Sequence, residues 1–99
     1  MPSPNDTPET QLAACRERID DLDRRLVALL NERTAIVETI GQVKKDAELP
    51  VYEPKRENAV YANVTSVNDG PLPNDAVQRI FERIMDEMRK IQKDRMALK

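Results

Sequence analysis

A chain of 99 residues with 16 Lys+Arg, 18 Asp+Glu and a net charge of −2 has room for one domain and exerts no broad pull on polyanions. It contains no histidine, which excludes Ser-His-Asp and Cys-His nucleophiles, imidazole general bases and His-containing metal sites. Its three aromatic residues, Tyr52, Tyr61 and Phe81, make no stacking platform for single-stranded nucleic acid, so neither nucleic acid nor a membrane is the expected partner.

Residues 1–8 hold three prolines among small polar residues and read as a disordered leader, followed by a helical domain over 9–98. Thr7 is the expected cap and Pro8 the first helical position. Leu12, Cys15, Ile19, Leu22, Leu26, Leu29, Ile36, Ile40 and Val43 follow steps of three and four, with Arg33 in the seam position between Leu29 and Ile36. This predicts a helix from about 8 to 45, roughly 55 Å long at 1.5 Å per residue. A compact domain of this size has a radius of gyration of only about 13 Å. The second half of the chain can cover such a stripe only in part, so an intertwined homodimer is expected.

Pro50 and Pro54 end that helix and make 49–52 an extended connector. Pro54 then opens a shorter helix to about residue 67, with Val60, Val64 and Val67 as its apolar side. The run Asn68-Asp69-Gly70-Pro71 stops it, and Asn74 is the expected cap of a third helix. Val77, Ile80, Phe81, Ile84, Met85, Met88 and Ile91 form the apolar face of that helix. The fold class is all-α, three helices in the order long, short, long.

The remaining inventory narrows the chemistry. Cys15 is the only cysteine, so an intramolecular disulfide, a CxxC pair and a thiolate zinc cluster are excluded, and a reducing, cytoplasmic setting is expected. The first residues have neither a basic stretch nor an apolar run of the kind secretion needs. With only Gly41 and Gly70 there is no phosphate-cradling loop, and any anionic ligand is held by side chains.

Several polar residues interrupt the apolar pattern. Arg33 in the seam is either a register device that reaches solvent or an anion, or a ligand cation. Lys44 follows eleven residues later, within about 20° of the same helix direction and about 16 Å along the axis, a spacing that leaves room for a small dianion. An ordinary charged helix end explains Lys44 equally well. Arg16 lies about 25 Å before Arg33, so it serves the same pocket only from a second copy; otherwise it belongs to a solvated charge run. Glu53, Arg56 and Glu57 share one face at the start of the second helix, either to bind ligand groups or to complement the helix N-terminus. Gln92 extends the stripe of Met85 and Met88 with an amide, while the two methionines read as core filling.

The residues 12–23, LAACRERIDDLD, with Leu29-Leu30-Asn31-Glu32-Arg33, Gly41-Gln42-Val43-Lys44-Lys45 and Val51-Tyr52-Glu53-Pro54-Lys55-Arg56-Glu57, resemble the all-helical class of chorismate mutases. The resemblance covers about 12–98. It implies an isomerase that converts chorismate to prephenate in phenylalanine and tyrosine biosynthesis, in intertwined dimers, with no metal or cofactor. By resemblance, Arg33 and Lys44 hold the substrate carboxylates, and Lys44 and Gln92 donate to the ether oxygen. Arg16 is lent across the dimer, Arg56 is a further pocket arginine, and Glu53 and Glu57 lie near the ring hydroxyl. Met88 stands where some members carry a hydroxyl residue. The family also occurs joined to or bound by other shikimate-pathway enzymes. An isochorismate pyruvate lyase, similar in fold and pocket, and a noncatalytic helical dimerisation module are the alternatives.

Overall fold

Thr7 and Thr10 open the first helix by exchanging hydrogen bonds. The Thr10 amide donates to Thr7 Oγ1 at 3.2 Å, and the Thr7 amide donates to Thr10 Oγ1 at 2.7 Å. Two otherwise unpaired donors are thus satisfied, as in a capping box. The chain is known from a computed structural model that describes residues 7–97. It forms α1 (Pro8–Asp46), α2 (Pro54–Ser66) and α3 (Asn74–Ala97), with no strand among the described residues. Positions 1–6 of the expected leader over 1–8 lie outside them, and Thr7 and Pro8 belong instead to the start of the first helix. Residues up to 33 and residues from 34 onward are two compact units.

In the first unit the apolar stripe of α1 is solvent-facing in the single chain: Leu12, Ile19, Leu22, Leu26 and Leu29 are all exposed. In the second unit the same stripe continues through Ile36, Ile40 and Val43, and these too are exposed. The buried residues of α1 are Val37, Gly41 and Lys44. They sit one residue on from the stripe, which rotates their face by about 100°. Within the second unit the chain therefore packs mainly on the face beside the stripe, and Ile40, 39% exposed, is the best covered of the stripe residues there. At Gly41 the helices come close, since a Cβ there would lie 3.5 Å from Arg95 Cβ and 3.6 Å from Gln92 Cα. The approach is close but free of a clash.

The α1 helix ends before Pro50 by a Schellman motif. The Leu49 amide donates to the Lys44 carbonyl at 2.8 Å and the Glu48 amide to the Lys45 carbonyl at 3.3 Å. Glu48 takes the left-handed conformation this requires, with φ 56°, at the cost of about 1 kcal/mol for a residue with a Cβ. Proline follows shortly after such a cap because it cannot continue the helix.

The α2 helix packs on α3, and Val60 is buried between them, Val64 half-buried and Val67 exposed. Val67 is the C-cap and lies outside the apolar side. On α3, Val77, Met85 and Met88 are buried. Phe81, Ile84 and Ile91 are half-buried and Ile80 is exposed in the single chain. The expected cap at Asn74 is corrected. The carbonyl of Pro73 accepts from the Ala76 and Val77 amides, so the cap position is Pro73 and Asn74 is already helical. The Asn74 side chain instead accepts from Asn68 Nδ2 at 2.7 Å and braces the preceding loop.

Candidate active site

Lys44 is 6% exposed, unlike a solvated helix end. Burying an ammonium is costly unless its three protons find acceptors. Here Nζ donates to the Val51 carbonyl at 2.8 Å and to Gln92 Oε1 at 2.9 Å, and pairs with Glu53 Oε1 at 3.0 Å. The connector supplies two of these acceptors and α3 the third. The Schellman turn built on the backbone carbonyl of Lys44 returns the connector across its side chain, so 51 and 53 are within reach.

Gln92 is buried and its Oε1 is committed to the ammonium. This fixes which way the amide points. Its Nε2 retains two protons, and no buried nitrogen or oxygen among the described residues lacks a partner, so the amide donor edge is open rather than sealed in the core. A buried cation and an oriented amide donor thus stand side by side on α1 and α3. Donors held in this way cost no reorganisation when charge develops against them.

The acids of the second helix divide their tasks. Glu53 is the N-cap of α2 by backbone but makes no side-chain cap; its carboxylate goes to Lys44 instead. Glu57 accepts from Arg89 Nε at 2.7 Å. Arg56 is exposed and makes no ion pair among the described residues. Met88 is buried as expected of core, and its sulfur accepts from Thr34 Oγ1 at 3.5 Å. Of the residues singled out in the sequence, the structure brings together Lys44, Glu53 and Gln92. Arg33, half-buried, and Arg16, exposed, belong to the first unit.

Arg89 escaped the sequence reading. Its pairing with Glu57 spans 32 positions; the only local signals are Asp86 one turn earlier and Gln92 one turn later. Burial works against its charge, but the Glu57 and Asp86 carboxylates more than offset this and hold its pKa above the ordinary arginine value. Nearby, burial raises the pKa of Tyr61, and the charges of Glu82, Glu57 and Asp86 add to that against the lowering by Arg89. The folded chain keeps this proton to higher pH than the unfolded chain. The stability it contributes is full below the unfolded value of about 10 and is lost as pH rises through the folded value. In Tyr52→Phe, which leaves one phenol, absorbance at 295 nm is expected to titrate with a midpoint above 10.0. A midpoint at or below that would contradict the crowding of carboxylates described here.

Fold and site together define an all-helical domain in which a buried ammonium and an oriented amide stand side by side. The profile of the chorismate mutase type II family matches residues 15–93. The chain is 40% identical over 82 residues to a bifunctional chorismate mutase/prephenate dehydratase of Pseudomonas aeruginosa; the match takes in 78% of the chain and 22% of that protein. Its fold is similar to that of chorismate mutase (form II) from Thermus thermophilus, with a TM-score of 0.82, 31% identity, and 84% and 94% of the two chains covered. It is also similar to chorismate mutase from Helicobacter pylori in complex with prephenate, with a TM-score of 0.83, 28% identity, and 91% and 99% covered. The chain belongs to the chorismate mutase type II family. It spans about a fifth of the length of the bifunctional relatives, and no helix among the described residues is long and apolar enough to cross a membrane.

Proposed function

We propose that this chain catalyses the Claisen rearrangement of chorismate to prephenate, for the synthesis of phenylalanine and tyrosine. The observation that carries the reading is the buried Lys44 ammonium bonded to Gln92 Oε1, which sets a positive charge beside the uncommitted Nε2 donors of the amide; an Nζ proton becomes available to the same oxygen when substrate displaces the exposed Glu53 carboxylate. The reaction is intramolecular: the ether C–O bond breaks, a C–C bond forms, and nothing enters or leaves. It requires a folded substrate conformer and stabilisation of the negative charge that grows on the ether oxygen. Lys44 and Gln92 supply the second, and Lys44 with Arg33 and Arg56 supplies the first by holding the two carboxylates. Glu53 and Glu57 take the ring hydroxyl. Met88 contributes packing where a hydroxyl would add a hydrogen bond.

The catalytic form is a homodimer in which Arg16 of one copy completes the site of the other. The exposed leucines and isoleucines of α1 support this, because a contiguous apolar stripe of that length calls for a covering surface, and a second copy of the same helix matches it. The single free cysteine, Cys15, fits a reducing, cytoplasmic setting. A further enzyme of the shikimate pathway is a fitting partner, as the bifunctional relatives carry one in the same chain.

The test is direct. Purified protein mixed with chorismate is expected to remove the diene absorbance saturably and to yield a product that acid converts to phenylpyruvate. Loss of isochorismate with release of pyruvate would assign the lyase reaction instead, and inertness toward both would leave a noncatalytic dimerisation module.

A further inference from the structure

Arg89 has none of the roles assigned above, yet it joins three parts of the second unit. Its Nε donates to Glu57 on α2, its terminal nitrogen pairs with Asp86 on α3, and its guanidinium carbon lies 5.6 Å from the centroid of the Tyr52 ring in the connector. The Arg89 and Glu57 side chains are 32% and 17% exposed, against 67% and 74% for the surface pair Arg79–Asp75. Such shielding makes the contact a geometric constraint rather than a screened surface pair.

The connector is held from both sides. The Val51 carbonyl and the Glu53 carboxylate go to Lys44, and the ring of Tyr52 between them goes to Arg89. Two cations thus divide three consecutive residues between them. Arg89 grips Glu57, one turn beyond Glu53, at the same time.

We infer that Arg89 is a positioning residue of the site, which fixes the Glu57 carboxylate and the 51–53 connector relative to Lys44 without itself touching substrate. The inference rests on the reading of Lys44, Glu53 and Glu57 as substrate-binding residues. A planar guanidinium is needed, because one ammonium cannot serve two carboxylates through separate nitrogens while lying against a ring.

The experiment compares the wild type, Arg89→Met, Arg89→Lys, Glu57→Gln and the Arg89→Met/Glu57→Gln double variant. Arg89→Met is expected to lower kcat/KM by about 10- to 100-fold, mostly through KM, as small displacements of binding groups do. Arg89→Lys is expected to recover part of that loss. The double variant is expected to fall clearly short of the product of the two single losses, because the part of the effect of Arg89 that acts through Glu57 has nothing left to orient. Losses that multiply, or unchanged kinetics in a folded Arg89→Met protein, would overturn the inference. Amide exchange at Tyr52 and Glu53 supplies a readout that does not depend on turnover. It is expected to quicken in Arg89→Met, and in Arg89→Lys if the methionine variant does not fold. If wild type leaves chorismate intact, the functional reading fails and exchange alone decides; unchanged exchange then rejects Arg89 as the residue that orders the connector.

Discussion

Lys44→Ala is expected to retain its helical circular dichroism and to lose more than a hundredfold in turnover of chorismate. The size follows from what the side chain does. A prearranged donor to an oxygen that gains charge only in the transition state is worth about 3–4 kcal/mol, and its removal lowers kcat more than it raises KM. Part of the loss passes through Gln92, whose amide is oriented by its bond to the ammonium. Lys44→Arg is not expected to rescue activity, since the three acceptors, Val51 O, Gln92 Oε1 and Glu53 Oε1, converge on one nitrogen, and a planar fork spreads its donors apart. Near-normal turnover in a folded Lys44→Ala protein would remove Lys44 from the mechanism.

Arg16→Ala is the second large effect, and it is diagnostic in mixtures. Alone, each of Arg16→Ala and Lys44→Ala is expected to be nearly inactive. After co-refolding at equal amounts, about half the dimers contain one chain of each kind. In these, the site that keeps Lys44 receives Arg16 from the other chain, so about a quarter of all sites are intact. Recovery to about a quarter of wild-type activity, measured by chorismate loss, is the expected result. Arg16 acting within its own chain would give no recovery, because each chain would then carry its own defect.

The three helices were legible from the sequence because their signals are local. Steps of three and four, the prolines at 8, 50 and 54 and the stop at 68–71 place both ends of α1 and α2 and the start of α3 within about a residue or two of the structure. The direction of packing was less legible. The strong hydrophobes of α1 drew attention to the stripe that remains exposed, while the face that packs within the chain is made of Val37, Gly41 and Lys44, one hydrophobe beside a glycine and a cation, which no apolar periodicity selects. Asn74 has the composition of a cap, but Pro73 already fills that position and the asparagine finds a better partner in Asn68.

The site divides in the same way. Lys44, Glu53 and Gln92 stood out because each breaks an apolar run or sits beside a proline, and a polar residue in such a place needs a partner. Lys44 turns out to be the partner of both Gln92 and Glu53. Arg89 gave no such sign, for it lies in a charged stretch and its partners Glu57 and Tyr52 are distant in sequence. Only tertiary structure reveals a contact of that span.

The connector also bears on how this protein can change over generations. Its residues may vary in kind wherever only a backbone carbonyl is used, as at Val51, whose contribution to Lys44 is main chain alone. Its length has no such freedom. Inserting or deleting one residue between the Schellman turn and Pro54 would shift Val51, Tyr52 and Glu53 relative to Lys44 and Arg89 and break the match of each cation with its group. Drift in composition is therefore compatible with the site, whereas drift in spacing would have to be matched by a simultaneous change on both α1 and α3.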